Sequence, residues 1–146
     1  MDIYIKKAIE EAKKAYKLGE IPVGAIIIKD EKIIAKAHNQ KEKMNNSLAH
    51  AELLAITKAS KKLNNWRLDD CIMIVTLQPC PMCSSAIKQS RIGKLIYLKE
   101  NDNKIIVNIC EKILKIVDNN KKIIVEKVYS NEYELLWKKF FKTLRK

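Results

Sequence analysis

The 146-residue sequence has no apolar run long enough to cross a membrane. Its apolar runs, such as Ile72 to Val75 and Ile123 to Val125, are the length of strands. Met1-Asp2-Ile3-Tyr4 does not begin a charged region followed by an apolar one, so no signal peptide and a cytoplasmic address are expected. Internal repeats, low-complexity tracts and interdomain linkers are all lacking, so one domain spanning residues 1–146 is expected. Histidine is scarce, at two residues, and cysteine stops at four. In a cytosolic chain disulfides are not expected, and a close cysteine pair points to metal or redox chemistry. Only Cys80 and Cys83 form such a pair; Cys71 and Cys110 sit among apolar neighbours and read as inert core cysteines.

Charge, by contrast, is abundant and one-sided. Twenty-nine basic residues face seventeen acidic ones, for a formal net charge of +12. Only Arg67, Arg91 and Arg145 among the basic residues are arginine. Such an excess favours polyanionic partners, RNA or DNA. AT-rich coding, which also enriches Lys, Ile and Asn, produces the same excess without a partner. With 47% hydrophobic and 32% charged residues, the chain has the balance of a globular protein.

Apolar spacing predicts a helix over residues 5–16, followed by Gly19 as its C-terminal cap. Two strands follow, Val23–Lys29 and Lys32–Ala37, close enough around Asp30-Glu31 to form a hairpin. Residues 39–47 read as a loop, Ala49–Leu63 as a helix, and Cys71–Leu77 as a buried strand. Pro81–Gln89 suits a helix opened by proline at its first position. Lys94–Leu98 is a strand, Ile109–Val117 has helical spacing, and Ile123–Tyr129 is a strand. Ser130 or Asn131 caps a last helix, with Glu134 placed to close a capping box on Asn131. The order predicts an α/β fold: a three-layer α/β/α sandwich around a five-stranded mixed sheet, parallel in its second half.

Two short motifs carry chemistry, His50-Ala51-Glu52 and Pro79-Cys80-Pro81-Met82-Cys83, each at a predicted helix start. Thiolates bind zinc, and a helix N-terminus lowers a cysteine's pKa. Cys80 and Cys83 lie one turn apart, so both sulfurs reach one ion, with His50 as third ligand. Three protein ligands leave the fourth tetrahedral position open, as in catalytic zinc sites. Glu52 is then the base that helps to ionise water. His50 and Glu52 are two residues apart, about 200° around a helix, so they converge only at its first turn. A redox Cys-x-x-Cys at a strand-to-helix junction is the competing reading. His38 reads as a strand-end residue rather than a ligand.

His-x-Glu followed by Pro-Cys-x-x-Cys resembles the zinc nucleobase deaminases. The likeness is wider than the motifs. Ile21-Pro22-Val23-Gly24-Ala25, Asn39, Ala49-His50-Ala51-Glu52, Val75-Thr76-Leu77, Ser90-Arg91-Ile92-Gly93 and Phe140-Phe141-Lys142-Thr143-Leu144-Arg145 look like the tRNA-specific adenosine deaminases. The resemblance runs over residues 1–98 and resumes at the last strand and helix. It implies a cytidine deaminase-like fold, one zinc per chain, a homodimer, and conversion of adenosine to inosine at the wobble position of a tRNA anticodon arm. It implies that Glu52 takes a proton from water and returns protons to the ring nitrogen and the leaving ammonia. It also implies that Val23 and Asn39 line the base pocket, and that Gly24 lets the target base approach the metal. Asn39 has an ordinary turn reading as well.

In the last helix, Lys138, Lys139, Lys142 and Arg145 lie beside Trp137, Phe140 and Phe141. That combination suits phosphate tracking with base stacking, and equally an apolar core face with solvated lysines. The sequence departs from the family in two places. Gln78 stands where the family has Glu, and residues 98–108 lack the family's glycines. The alternatives are a free-base deaminase acting on cytosine or guanine, and a non-catalytic zinc-stabilised RNA-binding subunit.

Overall fold

A computed structural model describes residues 1–117 and 121–144. Helix α1 (Asp2–Lys17) precedes a hairpin of β1 (Gly24–Lys29) and β2 (Lys32–His38). There follow α2 (Ala51–Leu63), β3 (Ile72–Leu77), α3 (Pro81–Gln89), β4 (Lys94–Lys99), α4 (Lys104–Lys115), β5 (Ile124–Lys127) and α5 (Asn131–Leu144). Both residues of the hairpin turn, Asp30 and Glu31, have positive φ, the requirement of a two-residue turn that matches strand twist. Gly19, at φ 77°, ends α1 in a Schellman motif: its N–H donates to the Tyr16 carbonyl and that of Glu20 to Ala15.

The strand order is β2-β1-β3-β4-β5. β1 pairs antiparallel with β2 and β3, while β3–β4 and β4–β5 are parallel. The mixed five-stranded sheet expected from the sequence is therefore present. Side chains alternate between two cores, as the period of two requires. Ala25, Ile27, Met73, Val75 and Leu95 pack with Ala51, Ala55 and Ala59 of α2 and Ile87 of α3. Ile26, Ile28, Ile74 and Ile96 meet Ala8 of α1 on the other face, and Leu98 meets Ile9, Ala12 and Tyr133 of α1 and α5. The alanines of α2, spaced by four, let that helix lie close to the sheet.

The structure redraws several expected boundaries. α2 begins at Ala51, because His50 is its extended N-cap (φ −77°, ψ 146°). α4 begins earlier than its apolar spacing suggested. Asn103 caps it, its side chain accepting from the N–H of Ile105 and Ile106. Ser130 rather than Asn131 caps α5, accepting from Tyr133 N–H at 3.1 Å. Glu134 closes no capping box there and instead pairs with Lys99 at 3.3 Å.

Gly24 has a different role from the one the family likeness suggested. A Cβ there would lie 2.2 Å from the Ala8 carbonyl oxygen and 2.4 Å from the Ala12 nitrogen. Its missing side chain thus admits the backbone of α1, on the sheet face opposite α2.

Candidate active site

The two helix starts meet at the carboxyl-end edge of β3. His50 caps α2, and Cys80 caps α3 with Pro81 in the first turn. Proline suits that position because its missing N–H would have had no helical partner. Cys83 follows one turn on and is fully buried. His50 Nδ1 lies 3.5 Å from Cys83 Sγ and 3.9 Å from Cys80 Sγ. The three ligand atoms all fall within 4.8 Å of one another, and among the described residues they form the only such metal-capable group. Zn–S bonds of about 2.3 Å and Zn–N bonds of about 2.05 Å in a tetrahedron demand N···S separations of about 3.6 Å. The donor set and its spacing therefore fit a zinc ion.

Because His50 is extended and Glu52 is in the first turn of α2, both side chains reach one cavity despite their spacing of two. That cavity, about 230 Å³, is lined by His50, Glu52 and Cys80, and also by Val23 and Asn39. The resemblance named Val23 and Asn39 as substrate-side residues, and both line this cavity with His50, Glu52 and Cys80. Asn39 is buried; its Nδ2 donates to the Ile21 carbonyl at 3.2 Å and its Oδ1 accepts from Lys41 N–H at 3.2 Å.

Burial pushes the Glu52 carboxyl up to about 7, with the nearby Cys80 adding to the effect. A carboxyl so placed gains and loses a proton near neutrality, as acid–base work requires. The neighbouring Cys83 thiol, then His50, hold Cys80 down to about 4, against the opposing effect of burial. Cys83 is raised, because its proton is shared with Cys80 and its surroundings are apolar. His50 is raised by its hydrogen bond to Cys80, against burial.

The remaining ligand-type residues lie elsewhere. His38, at the end of β2, faces Glu11 of α1 at 3.4 Å. Cys71 is buried, and burial raises its thiol. Cys110 of α4 is also buried, and its thiol donates to the Pro79 carbonyl at 3.0 Å. Sequence reasoning missed several cavity residues: Ile21, Lys41, Leu77 and Asn101, with Gln78 noted only as a departure. It missed Glu20 too, whose buried carboxylate accepts from the N–H groups of Glu42 (3.0 Å) and Lys43 (2.7 Å). Those bonds fix the loop carrying Lys41. No motif signals this, since the partners are backbone groups more than twenty residues away.

The last helix divides its residues. Phe140 is buried against Tyr16, with ring centroids 6.1 Å apart. Trp137 and Phe141 are half-buried, their rings 4.7 Å apart. With Lys138, Lys142 and Asp102 they line a second cavity of about 460 Å³. Lys139 turns away, its ammonium over the Tyr16 ring at 5.5 Å. Arg145 lies outside the described residues.

Comparison with known proteins places this architecture. The chain is 48% identical over 96 residues to the tRNA-specific adenosine deaminase of Bacillus subtilis (strain 168), a match covering 66% of this chain and 60% of that protein. It thus spans less than two thirds of that relative's length. A solved structure from a study of A-to-I editing by tRNA:A34 deaminases at the wobble position superposes with a TM-score of 0.75 at 27% identity. That match covers 87% of this chain and 98% of the other. The guanine deaminase of Bacillus subtilis superposes with a TM-score of 0.67 at 32% identity, over 97% of this chain and 93% of that one. The MafB19-like deaminase family model matches residues 1–145, and the chain belongs to that family.

Proposed function

We propose that the chain, acting as one domain, is a zinc-dependent deaminase that converts adenosine to inosine at the wobble position of tRNA anticodons. The observation that carries the reading is the convergence of His50, Cys80 and Cys83 beside a buried Glu52 at the wall of one cavity. The three ligands would hold one zinc per chain, which when bound supplies a Lewis acid that makes a water molecule acidic. Glu52 takes that water's proton on its carboxylate. It gives that proton to the ring nitrogen, then takes a second one from the hydroxyl newly bonded to the ring carbon and passes it to the amine, which leaves as ammonia. Val23 and Asn39 flank the base; the nearby N-termini of α2 and α3 favour the thiolates.

Adenosine in tRNA is supported by the names of the sequence relatives and by the net charge of +12. The second cavity adds to this. Asp102, which lines it, follows Asn101 of the first cavity in the chain, and it offers paired aromatics with Lys138 and Lys142, which suit a stacked base and its phosphates. Lys139 and Arg145 belong to the same basic helix and would contribute charge. A cytoplasmic homodimer fits the family likeness, and among the described residues no helix is long and apolar enough to span a membrane.

A free-base deaminase is the second reading, favoured by the guanine deaminase match over 97% of the chain. The deciding experiment offers the zinc-loaded protein an anticodon stem-loop with adenosine at the wobble position, and separately free guanine and cytosine. Inosine in the digested RNA is the expected result. Ammonia release from a free base alone would overturn the tRNA reading.

A further inference from the structure

The two places where the sequence leaves the family pattern meet in space. Gln78 is buried at the end of β3 and lines the cavity, as does Asn101 from the divergent segment. Gln78 Oε1 accepts from the Asn101 backbone N–H at 3.1 Å. The backbone N–H of Gln78 donates to the Lys99 carbonyl at 2.8 Å. From there the bonds continue outward: Asn101 Oδ1 accepts from Asn103 N–H at 2.9 Å, and Asn103 caps α4. α4 then returns to the start, because its Cys110 thiol donates to the carbonyl of Pro79. Residues 99–103 are thus tied at both ends to the Gln78-Pro79 dipeptide that leads into Cys80.

We propose that Gln78 is a positioning residue. Its side-chain oxygen, by holding the Asn101 N–H, fixes the 99–103 segment whose Asn101 lines the substrate cavity, and so sets substrate affinity rather than metal binding. The proposal rests on the deaminase reading. Gln78 is not among the metal-capable group, so its loss should leave the ligands in place. What it orders is a glycine-free loop, and ordering a loop before substrate arrives lowers the cost of binding.

The test uses the zinc-loaded protein, with Gln78→Met removing the acceptor at nearly equal length. A neutral hydrogen bond is worth about 0.5–1.5 kcal/mol, so KM for the anticodon stem-loop should rise roughly two- to ten-fold while kcat and zinc content hold. Gln78→Glu keeps an acceptor and should restore KM. Amide hydrogen exchange, read without substrate, should speed up across residues 99–103 in Gln78→Met and not in Gln78→Glu. Asn103→Ala, at an exposed position, should loosen the same segment with Gln78 intact. If free guanine is the substrate, the tRNA reading fails and the same KM comparison is made with guanine. Unchanged exchange in Gln78→Met, or a loss that falls on kcat or zinc, would overturn the proposal.

Discussion

The Tyr133 hydroxyl donates to the Pro22 carbonyl at 2.7 Å, joining the first turn of α5 to a residue 111 positions earlier. Tyr133 is fully buried, and burial raises its phenol above the usual range. The bond holds the Ile21–Val23 stretch, two of whose residues line the cavity. Tyr133→Phe keeps the ring and orphans a buried carbonyl, which costs about 1–3 kcal/mol. Urea denaturation should show that loss, with zinc content unchanged.

Glu52→Gln should keep zinc and lose turnover. The amide fills the same space but cannot take a proton, and positioned acid–base groups contribute roughly 10²- to 10⁴-fold. Steady-state kinetics beside metal analysis checks this. Turnover within a few-fold of the parent would refute the assigned role of Glu52.

Zinc should be found at about one per chain and should be lost in Cys83→Ala, which removes the most buried ligand. A chelator should lower the melting temperature of the parent protein and leave that of Cys83→Ala where it was. Differential scanning calorimetry reads both.

The architecture and the His50-Cys80-Cys83 cluster were legible because they depend on local signals. The β-branched run Ile26 to Ile28 announces a buried strand, and Pro81 beside two cysteines announces a helix start. The cavity's rim was not legible. Gln78 and Glu20 act through backbone groups of distant segments, and a side chain that pairs with a distant backbone N–H leaves no periodicity. Gly24 was misread for the same reason. Its glycine answers to α1, sixteen residues upstream at Ala8, and nothing in the local pattern says so. α4 was half seen: its apolar spacing was visible, while the cap that starts it, Asn103, looks like any other polar loop residue.

Glu11 ties acid stability to one cluster. Burial pushes its carboxyl up, but hydrogen bonds from Lys14 (2.6 Å) and His38 (3.4 Å) outweigh this and leave it below 4.5. A carboxylate with a depressed folded-state pKa stabilises the fold above the unfolded value and loses that contribution as pH falls through the folded one. The stability gap between the parent and Glu11→Gln should therefore be full at pH 6 and shrink below pH about 4.5. Urea midpoints across that range check the sign.

Gly24 and Val23 are neighbours under opposite steric constraint. Any side chain at position 24 strikes the backbone of α1, which has no rotamer with which to yield. Val23 lines the cavity, so a change in its size changes the cavity's volume. A library that reshapes this cavity can walk through position 23 and must step over position 24.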